Sequence, residues 1–285
     1  IIKLKFCLKT IMKEIIFLLA ITIGVSCSKS DITESATSDS INLARSGRFN
    51  ASEFDFIGVQ HNDIMSKLEL ALVNGTTVPS EFQNYAENNI YTEIQRLYEN
   101  PEDLSLAQTY INTTLHTKPI DGELMFGFDK DSRLSSESKN YLNRLQNIMT
   151  EDNADLIRII ANINILEEEA YNDTKLTNDD LLILFPATSV AKHSIKYWND
   201  HYDNWNHVLN GTTGTPVART KPGRAIANVA VADVGGAIGG ALGAWAVNVW
   251  VGPGQVVYAA AIVGTAVSSS AGVAVYHLAE AIFNW

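Results

Sequence analysis

Cysteine is nearly missing from this chain. Cys7 and Cys27 are the only two in 285 residues, which rules out the dense disulfide framework on which small exported domains depend. A packed core must supply stability instead, and the length is ample for one. Lysine and arginine are also scarce, 21 against 32 acidic residues, for a net charge of −11. Phosphate backbones are held by clustered cations, so nucleic acid is disfavoured as a partner. No stretch alternates polar and apolar residues for long, which argues against a sheet. Four motifs are absent: the G-x-S-x-G nucleophile elbow, a Walker phosphate loop, a dinucleotide fingerprint and the H-E-x-x-H zinc pattern. GGAIGG at 235–240 has the glycines of a phosphate cradle without a preceding strand or an adjacent lysine. The chain therefore reads as a non-enzyme, and no cofactor is implied.

What is present begins with a targeting segment. Lys3, Lys5, Lys9 and Lys13 precede an uncharged apolar run, 15–25, that ends in Ser26-Cys27-Ser28. This is the layout of a secretory signal over residues 1–26, with Met12 the expected start. Its apolar run is too short to span a bilayer of roughly 30 Å. Gly24-Val25-Ser26-Cys27 resembles the processing site of bacterial lipoproteins, with Gly24 where leucine is commonest. The resemblance implies cleavage before Cys27, lipidation of that cysteine, and a place in the cell envelope, at the outer membrane or cell surface. Acyl chains contribute about 0.8 kcal/mol per buried methylene, so a multiply acylated cysteine is a firm anchor. Cys7 leaves with the signal, and no cysteine pair remains.

Residues 27–50 are rich in Ser, Thr and Asp and read as a flexible tether. Within it Lys29, Asp31 and Glu34 weakly resemble a surface-export signal. The acidic body follows over 51–210. Ile90, Ile94, Leu97 and Tyr98 recur at helical spacing after Pro79-Ser80-Glu81. Asn100-Pro101-Glu102-Asp103 is another helix start: a capping residue, proline at the first position, then acids at the positive end of the dipole. Tyr141, Leu142, Leu145, Ile148 and Met149 mark a further amphipathic helix, and Leu156, Ile157, Ile160, Ile163 and Leu166 the next. Thr177-Asn178-Asp179-Asp180 caps a long segment to Leu209, expected to be interrupted or kinked at Pro186. The fold class is all-α: five to seven helices in an irregular bundle. A linker over 211–223, with three glycines and two prolines, separates this body from the last segment, 224–285.

That segment carries five glycines in 231–250, each costing about 1 kcal/mol of helix propensity. Gly235, Gly239 and Gly243 form one row, and Gly236, Gly240 and Ala244 a second beside it. Beyond the turn at 251–254, Ala260, Gly264, Ser268 and Gly272 repeat a small residue every four positions. The spacing predicts a glycine-zipper helical hairpin, groove against groove, in which close backbone packing offsets the propensity cost. Residues 234–276 contain no Asp, Glu, Lys or Arg, and each arm approaches the roughly 20 residues that a membrane span requires. Arg219, Lys221 and Arg224 precede the first arm; Trp245, Trp250, Tyr258, Tyr276 and Trp285 stand where interfacial aromatics sit. Two readings stay open: the hairpin contacts membrane or self-associates into a homo-oligomer, or it is buried as core.

Chemistry is thin elsewhere. In YWNDHYDNWNH, 197–207, Asp203 and His207 are four apart with His201 near them, a weak candidate metal set; the simpler reading is a helix end with packed aromatics and solvated polar groups. His61 is expected to be a hydrogen-bonded structural histidine, and Glu167-Glu168-Glu169 a solvated acidic face. Three patches resemble a set of uncharacterised Bacteroidota lipoproteins: Phe56, Gly58, His61 and Asn62 at the head; Ala191, Ser194, Tyr197 and Trp198 in the middle; Ala232, Asp233, Gly236 and Ala237 at the tail. The resemblance brings no activity with it. The expected function is that of a non-enzymatic envelope lipoprotein, with an unidentified envelope protein as partner. Its hairpin touches membrane in a bacteriocin-like, permeabilising manner or self-associates. The alternative is a soluble recognition or scaffold module with the hairpin as core, and third comes a metal-dependent enzyme on His201, Asp203 and His207.

Overall fold

Local signals start each helix where the chain can cap it. A computed structural model describes residues 47–98, 108, 131–152, 155–210, 222–246 and 256–283. The signal segment, Cys27, the Asn100-Pro101 start, residues 211–221 of the linker and the 251–254 turn lie outside the described residues. Seven α-helices and no strand occur among the described residues: α1 (Asp55–Val73), α2 (Phe82–Leu97), α3 (Ser136–Met149), α4 (Leu156–Asn172), α5 (Asn178–Asn210), α6 (Pro222–Ala246) and α7 (Val256–Phe283). The protein is an all-α bundle.

Two helix starts share one carboxylate. Thr177 and Asp180 form a reciprocal capping box at the head of α5: the Thr177 amide donates to Asp180 Oδ2 at 2.7 Å, and the Asp180 amide donates to Thr177 Oγ1 at 3.2 Å. Asp180 Oδ1 also accepts from Ser135, the N-cap of α3, at 2.8 Å and from Ser138 at 2.6 Å. The start of α3 is thereby fixed to the start of α5.

The long helix α5 runs through Pro186 without a break. Proline removes the N–H that would bond the carbonyl four residues back, that of Leu182. The Tyr258 hydroxyl of α7 donates to that carbonyl instead. Tyr258 is buried in the core. A neighbouring helix completes a bond that the chain's own backbone cannot make.

Helices α5, α6 and α7 pack together at the centre; α1 lies over α5 and α7, α2 over α7, and α3 and α4 flank α5. Residues 46–285 make one compact unit with one continuous hydrophobic cluster. Pro222 and Gly223, placed in the linker by composition, belong to α6. The end of the expected tether is also part of the fold. Arg48 donates to the carbonyls of Ala170, Asp173 and Leu176 at 2.6–3.0 Å, where a helix C-terminus leaves carbonyls open to a cation.

The glycine rows separate once placed. A β-carbon on Gly236 would lie within 3.0 Å of the Thr265 carbonyl and Ser269 Oγ, and one on Gly240 2.6 Å from the Ala261 carbonyl. At Gly239 the same construction meets nothing within 4 Å. Successive helix positions differ by about 100°, so only the row Gly236–Gly240 faces α7. Gly235 and Gly239 are half-buried to one side, while Gly243 is buried. On α7 the facing stripe is Ala261, Thr265 and Ser269, one position over from the expected one. Gly264 and Ser268 are nonetheless buried and Gly272 half-buried. Ile157 breaks the apolar pattern at 82 % exposure, because Ile159, Ile163 and Leu166 define the inner face of α4. Glu167 falls on that inner face, ion-paired to Lys192 at 2.8 Å, while Glu168 and Glu169 are exposed.

Substituting Gly236 or Gly240 by alanine is expected to cost about 1–3 kcal/mol through overpacking. Gly239→Ala should instead stabilise by up to about 1 kcal/mol through helix propensity. Urea unfolding of the three variants checks this, and a Gly239→Ala loss as large as the others contradicts the assignment of rows.

Candidate functional site

Polar side chains collect where α1, α5, α6 and α7 meet. Helix α1 reaches α5 closely because Gly58 has no side chain: a β-carbon there would stand 2.6 Å from the Ser189 carbonyl and 2.5 Å from the His193 ring. The Gly58 amide also donates to Ser189 Oγ at 3.1 Å. Asn62 Nδ2 donates to the His193 carbonyl at 2.9 Å, and the His193 ring contacts Asp55 at 3.0 Å. This crossing turns His61 into the interior.

Asp233 of α6 meets it there, and both are fully buried. Asp233 Oδ2 accepts from the Ser194 hydroxyl and from the Trp198 indole N–H, the latter at 3.0 Å. His61 Nε2 lies 3.5 Å from the same oxygen and 3.4 Å from Ser270 Oγ of α7. Its other ring nitrogen contacts Asn62 Oδ1 at 3.0 Å. Asp233 Oδ1 has no hydrogen-bond partner. Burial pushes the Asp233 carboxyl above the usual carboxylate range; the His61 ring, the Ser194 and Ser270 hydroxyls and the Trp198 indole pull it partly back. Residues from the three separate stretches that carry the resemblance, His61, Ser194, Trp198 and Asp233, thus occupy one site.

The arrangement does not form a nucleophilic triad. Such a relay needs the carboxylate on one ring nitrogen and the hydroxyl on the other, whereas Asp233 and Ser270 both address Nε2 of His61. All four polar residues, Ser194, Ser270, His61 and Asp233, are 0 % exposed. The cluster can hold four helices in register; it offers no reacting atom to a solute.

A second network lies one helical step away. Buried Glu69 of α1 accepts from the Tyr197 hydroxyl at 2.9 Å and contacts His201 Nδ1 at 2.7 Å. Trp205 Nε1 donates to the Tyr197 oxygen at 2.8 Å, and the Tyr197 and His201 rings stack at 4.4 Å. Burial raises the Tyr197 hydroxyl well above its ordinary value, despite the Trp205 donor, and the Glu69 charge adds to the rise. Of the weak metal candidates, His201 is engaged with Glu69, while Asp203 and His207 are exposed. Among the described residues no group of three or more His, Cys, Asp or Glu could hold a metal ion. Glu69 was not singled out by sequence; its signal is an acid falling on the apolar face of α1, eight residues after His61.

Comparison with known proteins returns no matching family, no matching curated protein and no matching solved structure.

Two carboxylates should respond to pH with opposite sign. Asp233 ionises less readily folded than unfolded, so its contribution is full below about pH 4 and is lost as pH rises through its raised value. Asp180 is the reverse. Burial raises it, but donation from Ser138, Thr177 and Ser135 outweighs that and lowers it overall. Its contribution is present above about pH 4 and lost as pH falls through the lowered value. Urea unfolding across pH should show the wild-type advantage over Asp180→Asn shrinking in acid, and stability relative to Asp233→Asn falling as pH rises. Asp233→Leu strands the Trp198 and Ser194 donors and is expected to cost about 3–5 kcal/mol. Equal effects of the Leu and Asn variants contradict the donor assignment.

Proposed function

We propose that this chain is a non-enzymatic envelope lipoprotein, anchored through Cys27, whose hairpin is the core of a helical recognition or scaffold module. The supporting observation is the placement of α6. Its segment Ile226–Ala244, mean hydropathy 1.4, is long and apolar enough to cross a membrane, yet 78 % of its most apolar stretch is buried among the protein's own helices. Asp233 lies in that segment. Transfer to a bilayer would put its carboxyl near mid-depth, at about 2.5–3.5 kcal/mol if charged. The bonds to Ser194 and Trp198 would be lost as well. Those costs favour keeping α6 inside the protein over inserting it.

In this reading, glycines that look like membrane-helix contacts serve close packing in a water-soluble body. The lipid on Cys27 supplies the membrane attachment, the residues before Gly47 supply reach, and the acidic helical body supplies the recognition surface.

Cell fractionation of wild type and Cys27→Ser tests the reading. Wild type is expected in the membrane fraction and Cys27→Ser in the soluble one. Purified Cys27→Ser should neither float with phosphatidylethanolamine–phosphatidylglycerol vesicles nor release a trapped dye. Flotation or release by that variant overturns the proposal in favour of a membrane-active hairpin.

A further inference from the structure

Helix α4 stands at the edge of the bundle, with α3 and α5 as its main neighbours. Its inner face is used by Ile159, Ile163 and Leu166, all buried. The outer face mixes exposed Arg158, Asn164 and Glu168 with apolar residues, where a solvated helix face is chiefly polar. Ile157 is 82 % exposed and Ile165 53 %, and exposed Ala161 lies between them at four-residue spacing. A groove of about 330 Å³ meets this stripe at Ile165, lined by that residue and Asn162 of α4 and by Arg144, Asn147 and Ile148 of α3. Scattered exposed apolar residues need no explanation, but three in a row at four-residue spacing that end at a groove do.

Charge decides what fits it. Glu151, Asp152 and Asp155 flank the amino end of α4, and Glu168 and Glu169 stand near its carboxyl end, all exposed. Two guanidinium groups answer them: Arg158 pairs with Glu151 at 2.6 Å, and Arg144 pairs with Glu169. Asp152, Asp155 and Glu168 carry no ion pair among the described residues. A second copy of this chain, net charge −11, would bring the same acids against one another. An anionic membrane would be repelled in the same way.

We propose that the α3–α4 face docks a basic amphipathic helix of a partner protein, its apolar side on Ile157, Ala161 and Ile165 and its cations over Asp152, Asp155 and Glu168. The mode is a helix laid in a groove, read at four-residue spacing. The proposal rests on the reading of this body as a recognition module and names the surface that does the recognising.

The test uses the full chain and a fluorescein-labelled 18-residue Lys/Leu peptide of amphipathic helical pattern, read by anisotropy. Ile157→Ser/Ile165→Ser removes the stripe; Val59→Ser/Leu70→Ser removes exposed apolar area from α1 (50 % and 56 % exposed). Circular dichroism should report wild-type helicity for both. Binding is expected to weaken roughly tenfold or more in the first variant and to stay within about twofold in the second. It should also weaken as salt rises from about 0.05 to 0.3 M. Equal effects of the two variants, no binding to wild type, or equal binding of a Lys/Ser peptide overturns the proposal. So does a wild-type dimer that dissociates in Ile157→Ser/Ile165→Ser, which assigns the face to a second copy. Failure here leaves the fractionation and vesicle results untouched, so the surface and the module reading fail separately.

Discussion

The structure depends on one buried carboxyl group. Asp233 sits inside a helix of almost purely apolar and small residues, and a lone acid in such surroundings is destabilising unless it has donors. The Ser194 hydroxyl and Trp198 indole come from α5, the His61 ring from α1, and Ser270 stands beside that ring from α7. Hydrophobic packing alone tolerates sliding of one small-residue helix past another. A fixed set of donors around one oxygen does not, so the register of four helices is specified at one point.

Close approach is what makes that point reachable. Gly58 lets α1 sit on α5, and Gly236 and Gly240 let α6 sit on α7. Larger side chains at these places would push the helices apart and carry the donors out of hydrogen-bond range. The Tyr258 hydroxyl adds a third constraint, because it completes the carbonyl that Pro186 leaves open. Apparent defects in α5 and α6, a proline and the glycines at 236 and 240, are places where a neighbouring helix makes contact.

Much of this was legible where the physics is local. Helical periodicity located Ile90, Ile94, Leu145, Ile163 and Leu166 in the core, the Thr177–Asp180 cap started α5, and four-residue spacing of small residues marked Gly236 and Gly240 as a packing row. What stayed hidden depends on pairing across the chain. Asp233 is 172 positions from His61, and no period in the sequence reports that they face each other. Nor does spacing say which of two adjacent glycine rows turns toward α7, since they differ only by the helix's rotation about its axis. Ile157 was misplaced for a related reason: α4 carries apolar residues on two faces, and only the position of α5 shows which face is inner. Nor does the spacing of His201, Asp203 and His207 report that His201 faces Glu69, far away in sequence.

The central claim is that the glycine-rich hairpin is the protein's core and not a detachable appendage. Native-state hydrogen exchange of the full chain addresses it directly, because amides open at the free energy of the unit to which they belong. The account predicts that amides in 226–244 exchange as slowly as those in 181–198 of α5 and are lost together with them as urea is added. Early, independent exchange of 226–244 while α5 stays protected would contradict it.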